Sequence, residues 1–207
     1  MNKDFRAVCK WTDSNKYLQI MILTESKLKE LTSRAIILNE ARVQNRCFSE
    51  TNRTLSVFLS HKHNELEYLE RVRYVLEFLN ASVYVDWADP SMQHPTDRKT
   101  AETLKKKIER YDKFIFIASD AAIASKWCNW EIGYGDAHKY EQDKIALFPI
   151  KQDDREWKGN EYLQLYPSIE YFDGTTTYNT GHIIPEGFYV YYHYKKKITP
   201  LANWISR

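Results

Sequence analysis

From residue 55 onward, short apolar runs alternate with longer segments whose apolar residues recur at helical spacing. Strands are predicted from runs rich in β-branched and aromatic residues: LSVFLS (55–60), SVYVDW (82–87), KFIFIAS (113–119), KIALFPI (144–150) and SIEYFD (168–173). The periodicity predicts helices between them, at 64–80, 100–111 and 126–139. This alternation is typical of an α/β fold with right-handed βαβ units and a parallel sheet.

Ligands of such sheets bind beyond the carboxyl ends of the strands. We therefore expect a site in the loops after the first three strands, at 60–64, 86–100 and 119–127. Downstream, GFYVYYHY (187–194) predicts a strand or an edge strand, and ITPLANWI (198–205) is expected to end as a helix.

The first 50 residues follow a different pattern. One long helix is predicted from about Ser14 to Asn45, because residues 17–45 contain neither glycine nor proline. Its apolar residues occupy two heptad positions, as in a short coiled coil: Met21, Leu28, Ala35, Leu31 and Leu38. This stripe is consistent either with packing on the chain's own domain or with self-association. We predict a helical extension at 1–50 and one domain with a C-terminal elaboration at 51–207.

Composition excludes some classes of partner. The formal net charge is +2, which gives no general reason to expect nucleic acid or a membrane surface. We see no apolar run of the roughly 18 residues that a membrane-spanning helix needs, and no apolar signal-peptide core. The three cysteines form no CxxC pair, so neither a disulfide framework nor a zinc site is indicated, and a cytoplasmic location is expected.

The common signatures GxGxxG, GxxxxGK[ST] and GxSxG do not occur in the sequence. Candidate chemistry lies instead in SKWCNWEIGYGDAHK (125–139), where two tryptophans surround one acid. In a helix, Trp127 and Glu131 are i,i+4 neighbours on one face. The acid could hydrogen-bond sugar hydroxyls while the indole stacks on a ring. The alternative is a solvent-facing glutamate beside a half-buried tryptophan.

The rest of this predicted helix is expected to serve packing. Trp130, Tyr134 and Ala137 form a second row, which we expect to face the core. Gly133 and Gly135 each cost roughly 1 kcal/mol relative to alanine within a helix, which suggests close approach by another backbone. Cys128 is expected to be a small buried hydrophobic residue rather than a reactive thiol.

Three separated motifs resemble the bacterial branch of Toll/interleukin-1 receptor (TIR) domains: VFLSHKHNE, VYVDW with its proline-bearing loop, and FIFIASDAAIASKWCNWEIG. The most specific part is S-x-W-C-x-x-E, which comprises Ser125, Trp127, Cys128 and Glu131. The resemblance covers about residues 54–172 and leaves the N-terminal helix outside. It implies a flavodoxin-like TIR fold, with a five-stranded, mainly parallel sheet flanked by helices.

The resemblance also implies an activity, cleavage of the nicotinamide–ribose bond of NAD. NAD is then the substrate, and neither a cofactor nor a metal is expected. Glu131 corresponds to the essential catalytic glutamate of this family, and Trp127 to part of a base-stacking wall. The other pocket positions implied are Ser60, His61 and Lys62 after the first strand, and Asp86 and Trp87 before a mobile flap that takes part in assembly between subunits.

Several of these positions allow a second interpretation. Asp86 is either a second carboxylate of the site or a residue that caps its loop. His61 and His63 could mimic two metal ligands, but no third ligand is evident, so we expect His61 to line the pocket as a donor. Asn80 and Ala81 stand where many relatives have a glycine before the second strand.

We therefore expect an NAD-consuming enzyme of bacterial antiphage immunity. Its product would be ADP-ribose, a cyclic isomer or a conjugate, read by a separate effector as in Thoeris-like systems. Self-association through TIR–TIR contacts is expected. The alternative is a non-catalytic TIR–TIR module, acting as a scaffold, an adaptor or a host-mimicking effector. The Ser–Trp–Cys–Glu set favours the enzyme, because a scaffold has no need of the acid.

Overall fold

The computed structural model describes residues 22–43, 55–85, 98–157, 159–178 and 181–207, with only the backbone of residues 35–43. The strands found there are β1 (Leu23–Thr24), β2 (Ser56–Ser60), β3 (Ser82–Tyr84), β4 (Lys113–Ala118), β5 (Ile145–Lys151), β6 (Ser168–Phe172), β7 (Gly187–Tyr192) and β8 (Lys197–Pro200). The helices are α1 (Glu25–Val43), α2 (Leu66–Phe78), α3 (Arg98–Arg110), α4 (Asp120–Ile123), α5 (Lys126–Lys139) and α6 (Leu201–Ile205). A 3-10 helix spans Glu161–Leu165.

The described strands form one sheet in the order β3-β2-β4-β5-β6-β7-β8, with β1 pairing to β5 off this path. The pairs from β3 to β6 are all parallel, which confirms the predicted α/β fold with a five-stranded parallel core. The strands β7 and β8 continue the sheet in antiparallel pairing. The run at 187–194 is therefore an interior strand, and the predicted terminal helix begins only at Leu201, after β8.

Alternating side chains of the central strands supply two cores, one on each face of the sheet. On one face, Val57, Leu59, Ile115 and Ile117 pack with α2. On the other face, Phe58, Phe114 and Phe116 pack with α3 and α5. All six residues of β4 are buried, Lys113 included, and the five apolar residues after this lysine are typical of a central parallel strand. Both faces of the sheet are thus covered, so a ligand site is left to its edges.

The helix α1 begins at Glu25, and the predicted helix is wrong at residues 23–24, which form β1; residues 14–21 of that prediction lie outside the described residues. Thr24 ends the strand and caps the helix, because its hydroxyl accepts the backbone N–H of Lys27 at 3.2 Å. Leu28 is fully buried in the domain's own core, and Leu31 packs against it. Met21 and the side chains of Ala35 and Leu38 lie outside the described residues.

The chain turns sharply between α2 and β3. Asn80 adopts φ 63°, the left-handed conformation that glycine favours and asparagine tolerates. Its N–H donates to Glu77 O at 2.9 Å, and the N–H of Ala81 donates to Leu76 O at 3.1 Å. Asparagine can therefore stand where the resemblance leads us to expect glycine.

Candidate active site

The helix α5 brings Glu131 to the carboxyl edge of the sheet. Its bounds, Lys126–Lys139, are those predicted from the sequence. Ser125 caps the helix, and its hydroxyl accepts the N–H of Cys128 at 3.5 Å. This cap fixes where the helix starts and so places Glu131 in the second turn, facing the end of β2.

Ser60 and Glu131 meet inside the protein although 71 residues separate them. The hydroxyl of Ser60, the last residue of β2, donates to Glu131 Oε2 at 2.5 Å. Only 1% of Ser60 and 3% of Glu131 is exposed. A buried carboxylate needs such partners, because removing it from water is costly. The contact brings together two residues that the resemblance implies for one pocket, and their role in a site stays a prediction.

The residues after β2 are held against α5. His61 is 4% exposed, and its carbonyl oxygen accepts a weak hydrogen bond from Cys128 Sγ at 3.4 Å. Cys128 is itself buried in the core, as predicted for a structural cysteine. Lys62 is half-exposed, and the exposed ring of His63 stacks on that of His61 with centroids 5.8 Å apart. Of the predicted pocket residues, Ser60 and His61 therefore lie beside α5.

The indole of Trp127 is half-buried and starts an aromatic row along α5. Ring centroids are 4.9 Å apart for Trp127 and Trp130, 6.0 Å for Trp130 and Tyr134, and 4.6 Å for Tyr134 and His138. The expectation that Trp130, Tyr134 and Ala137 face the core is wrong. Both rings are only partly buried at its margin, and Ala137 is exposed.

The buried face of α5 is instead built from Cys128, Glu131, Ile132, Gly135 and Lys139. Gly135 allows a close approach there, because a Cβ atom would lie 3.0 Å from Cδ2 of the Phe114 ring on β4, a tight contact that this ring would have to accommodate. The predicted close approach therefore holds for Gly135, with a side chain rather than a backbone as its neighbour. Gly133 is exposed, and a Cβ there would meet nothing within 4 Å.

Two of the predicted pocket residues, Asp86 and Trp87, lie outside the described residues. The flap that follows them also lies outside the described residues, which resume at Arg98. Their assignment to the pocket stays a prediction from the sequence.

A second serine–carboxylate contact at this edge was not singled out from the sequence. Ser119 directly follows β4, and its hydroxyl donates to Glu65 Oε2 at 2.5 Å. Burial raises the pKa of Glu65, and the hydrogen bond from Ser119 opposes this shift. The only sequence signal was position, since both residues lie in loops after the carboxyl ends of neighbouring strands.

The loop after β5 adds a tryptophan that the sequence did not point to. The indole N–H of Trp157 donates to the carbonyl of Ala118, the last residue of β4, at 2.7 Å. Gly159 leaves room for this ring, because a Cβ there would lie 2.7 Å from Trp157 Cζ3. A cavity of about 790 Å³ lies next to it, lined by Asp120, Ile123, Ala124, Arg155, Glu156, Gly159 and Asn160.

Glu131 and Trp127 are the described side chains that suggest a chemistry at this edge. Within the ranges given above, no three His, Cys, Asp or Glu residues cluster as ligands of an ion would. A carboxylate beside a half-buried indole can orient a ring and stabilise a positive charge that develops next to it. Glu131 and Trp127 provide these two groups one helical turn apart.

Comparison with known proteins identifies the family. The model of the TIR domain family matches residues 57–182, which run from β2 to the segment before β7. The chain belongs to the TIR domain family. The motifs that resembled TIR domains in the sequence all lie within the matched range. The strand β1, the helix α1 and the C-terminal elements β7, β8 and α6 lie outside it.

Two curated TIR relatives were found. The chain is 30% identical over 124 residues to "Probable 3' cyclic ADP-D-ribose synthase ThsB'" of Bacillus cereus (strain MSX-D12), an alignment covering 58% of this chain and 63% of the relative. It is 25% identical over 88 residues to "Putative cyclic ADP-D-ribose synthase TIR2" of Cytobacillus dafuensis, covering 41% of this chain and 23% of that protein. The alignments thus span less than two thirds of either relative.

None of the helices in the parts of the chain with assigned structure combines the length and the apolar character that a bilayer-spanning segment requires.

Proposed function

We propose that this chain is an NAD-consuming TIR enzyme that cleaves the nicotinamide–ribose bond, with Glu131 as its catalytic carboxylate. The position of Glu131 is the main support. It lies at the carboxyl edge of the sheet, where it accepts a hydrogen bond from Ser60, one helical turn from Trp127. The names of the two relatives, both cyclic ADP-D-ribose synthases, support the same class of reaction.

The chemistry requires one well-placed carboxylate. When the bond from the ribose to nicotinamide breaks, its electron pair leaves with the ring nitrogen, and the charged pyridinium becomes neutral nicotinamide. No strong acid is needed for this leaving group. The ribose is left with an oxocarbenium-like positive charge, which the Glu131 carboxylate stabilises. Glycosidases commonly use two carboxylates for a similar cleavage, so the likeness to them is partial.

The group that captures the ribose cation decides the product. Water gives ADP-ribose, an outside acceptor gives a conjugate, and a group of the same molecule gives a cyclic isomer. We propose the cyclic product, because both relatives are named for one. We further propose that a separate effector reads this product in antiphage defence, as the resemblance to Thoeris-like proteins suggests.

Access to Glu131 requires movement in this protein. With 3% of its surface exposed, Glu131 can touch a ribose only after neighbouring groups shift. Self-association through TIR–TIR contacts would supply such a shift, so we expect activity to rise with protein concentration. The same burial favours the second candidate function, a non-catalytic TIR–TIR interaction module in which Glu131 only supports the fold.

Nicotinamide release separates the two functions. Purified full-length chain is incubated with NAD over a range of protein concentrations, and the products are resolved by chromatography and mass spectrometry. We expect release by the wild type and a loss of at least about 100-fold in Glu131→Gln, the usual scale for removing one preorganised electrostatic group. The matched control is Glu141→Gln, an exposed acid beyond α5, which should retain wild-type activity.

Two outcomes would contradict this proposal. Absence of nicotinamide release by the wild type at the highest protein concentration, also with phage-infected lysate added, would make the interaction module the better description. Wild-type activity in Glu131→Gln would instead remove Glu131 as the catalytic carboxylate and leave NAD cleavage to another group. Circular dichroism of each variant must show an unchanged fold before the comparison counts.

A further inference from the structure

The loop between β2 and α2, residues 61–65, is fastened at both of its ends. At its start, Cys128 Sγ of α5 donates to the His61 carbonyl at 3.4 Å. At its end, Glu65 Oε2 accepts a hydrogen bond from the Ser119 hydroxyl, with the two oxygens 2.5 Å apart. Inside the loop, the N–H of Glu65 donates to Lys62 O at 2.9 Å and closes a tight turn. The half-exposed Lys62 and exposed His63 are thus presented by a short, fixed segment.

The direction of the hydrogen bond from Ser119 is determined by its neighbours. The Ser119 hydroxyl caps α4 and accepts the N–H of Ala122 at 3.1 Å. Its single proton is consequently available for Glu65. The two serines at the ends of neighbouring parallel strands act alike. The Ser60 hydroxyl donates a hydrogen bond to Glu131 on one face of the sheet, and the Ser119 hydroxyl donates one to Glu65 on the other.

Glu65 forgoes a more usual interaction in doing this. It occupies the N-cap position of α2, where a side chain ordinarily accepts a backbone N–H from the helix's first turn. No such side-chain bond is made, and the carboxylate reaches across to α4 instead. Departures from local preference of this kind are typical of functional sites.

We propose that Glu65 is a positioning residue for the Glu131 site. By accepting a hydrogen bond from the Ser119 hydroxyl, Glu65 holds loop 61–65 in place for substrate. The loop starts at Ser60, the residue bonded to Glu131, so its position determines how Lys62 and His63 meet a bound ligand. This role rests on the proposed NAD-cleaving function. It requires a hydrogen-bond acceptor at Glu65 rather than a negative charge.

The test compares three variants of the full-length chain in the nicotinamide-release assay. Glu65→Ala removes the acceptor, and we expect it to raise KM for NAD roughly tenfold, with kcat changed less than about threefold, as misplacement of a binding loop would. Glu65→Gln keeps an amide oxygen as acceptor and should restore KM to within about twofold of the wild type. Glu67→Ala, an exposed neighbour on α2, is the matched control and should match the wild type.

A purely structural role would lower the stability of Glu65→Ala without this KM-specific change and without rescue by glutamine. A KM within twofold of wild type in Glu65→Ala would overturn the proposal. Equal impairment in Glu65→Gln and Glu65→Ala would also overturn it, because charge and not the acceptor would then be required.

Amide hydrogen exchange keeps this test distinct from the test of the proposed function. Exchange at the backbone N–H of residue 65 should be faster in Glu65→Ala and near the wild-type rate in Glu65→Gln, whether or not NAD is cleaved. If the wild type releases no nicotinamide but this pattern is seen, the proposed function fails and the fastening of the loop stands. If exchange is unchanged in Glu65→Ala, the fastening itself is refuted.

Discussion

Glu170 offers a quantitative check on how this sheet is built. It lies on β6 with 2% of its surface exposed, and its Oε1 accepts the Ser168 hydroxyl at 2.7 Å. The same hydroxyl lies 2.9 Å from Nε2 of His193, in the turn between β7 and β8. On the facing strand, Tyr189 is paired with Glu170, and the pKa of Tyr191 is raised by burial first and by proximity to the Glu170 carboxyl second. We consider the replacement Glu170→Gln, which keeps the shape and an acceptor but cannot ionise.

The magnitude follows from the pKa of Glu170. Burial raises it from 4.5 to about 7, and the bond from Ser168 opposes the rise. A shift of this size corresponds to about 3 kcal/mol of folding free energy. The folded chain binds this proton more tightly than the unfolded chain does. The stabilisation is therefore fully present below pH 4.5 and is lost as the pH rises through about 7.

His193 contributes in the opposite direction. Burial lowers its pKa from 6.5, so its contribution to stability is present above that pH and is lost on acidification. Comparing two chains that both contain His193 cancels this effect. The change with pH in the difference between wild type and Glu170→Gln then reports Glu170 alone.

Urea unfolding at pH 5 to 8, followed by circular dichroism, measures this difference. Relative to the wild type, Glu170→Gln should become more stable by about 2 to 3 kcal/mol between pH 5 and pH 8. An exposed control, Glu161→Gln, should show no such trend. A difference between wild type and Glu170→Gln that stays constant across this pH range would refute the reasoning, whatever its absolute size.

Two further predictions test the site and the N-terminal helix. Ser60→Ala removes the hydroxyl bonded to Glu131; we expect unfolding free energy to fall by about 2 kcal/mol and nicotinamide release to fall at least about tenfold, and activity equal to wild type would contradict this role. Leu28→Ala empties a fully buried position where α1 meets the core; urea unfolding should show a loss of about 2 to 5 kcal/mol. A loss no larger than in the exposed control Lys29→Ala would mean that α1 does not belong to the domain's core.

The local pattern of residues was sufficient to predict the strands of the parallel core and the helix α5. The run KFIFIA is apolar at every position after Lys113, and the strand β4 built from it is buried at every position. Ser125 signals the start of α5 because a serine before a helical segment can cap it, and the helix begins at the next residue. These features depend on neighbours within a few residues, which the sequence displays directly.

The same kind of reasoning failed to predict which face of α5 packs against the core. Trp130 and Tyr134 are large and aromatic, which favoured their burial. The ring of Phe114 comes so close to α5 that a Cβ at position 135 would make a tight 3.0 Å contact, and the smaller row of Cys128 and Ile132 faces inward. Which face wins depends on the shape of the partner strand, and that shape is not contained in the helix's own periodicity.

The sequence by itself determined the alternating α/β elements, the edge at which a site would lie and the acid to expect there. Only the tertiary structure decided that Ser60 bonds Glu131 across 71 residues, that Glu65 turns from its own helix to Ser119, and that β1 pairs with β5. The reason is physical. Strand and helix periods arise from nearby residues, whereas the partner of a buried polar group is set by how distant segments pack.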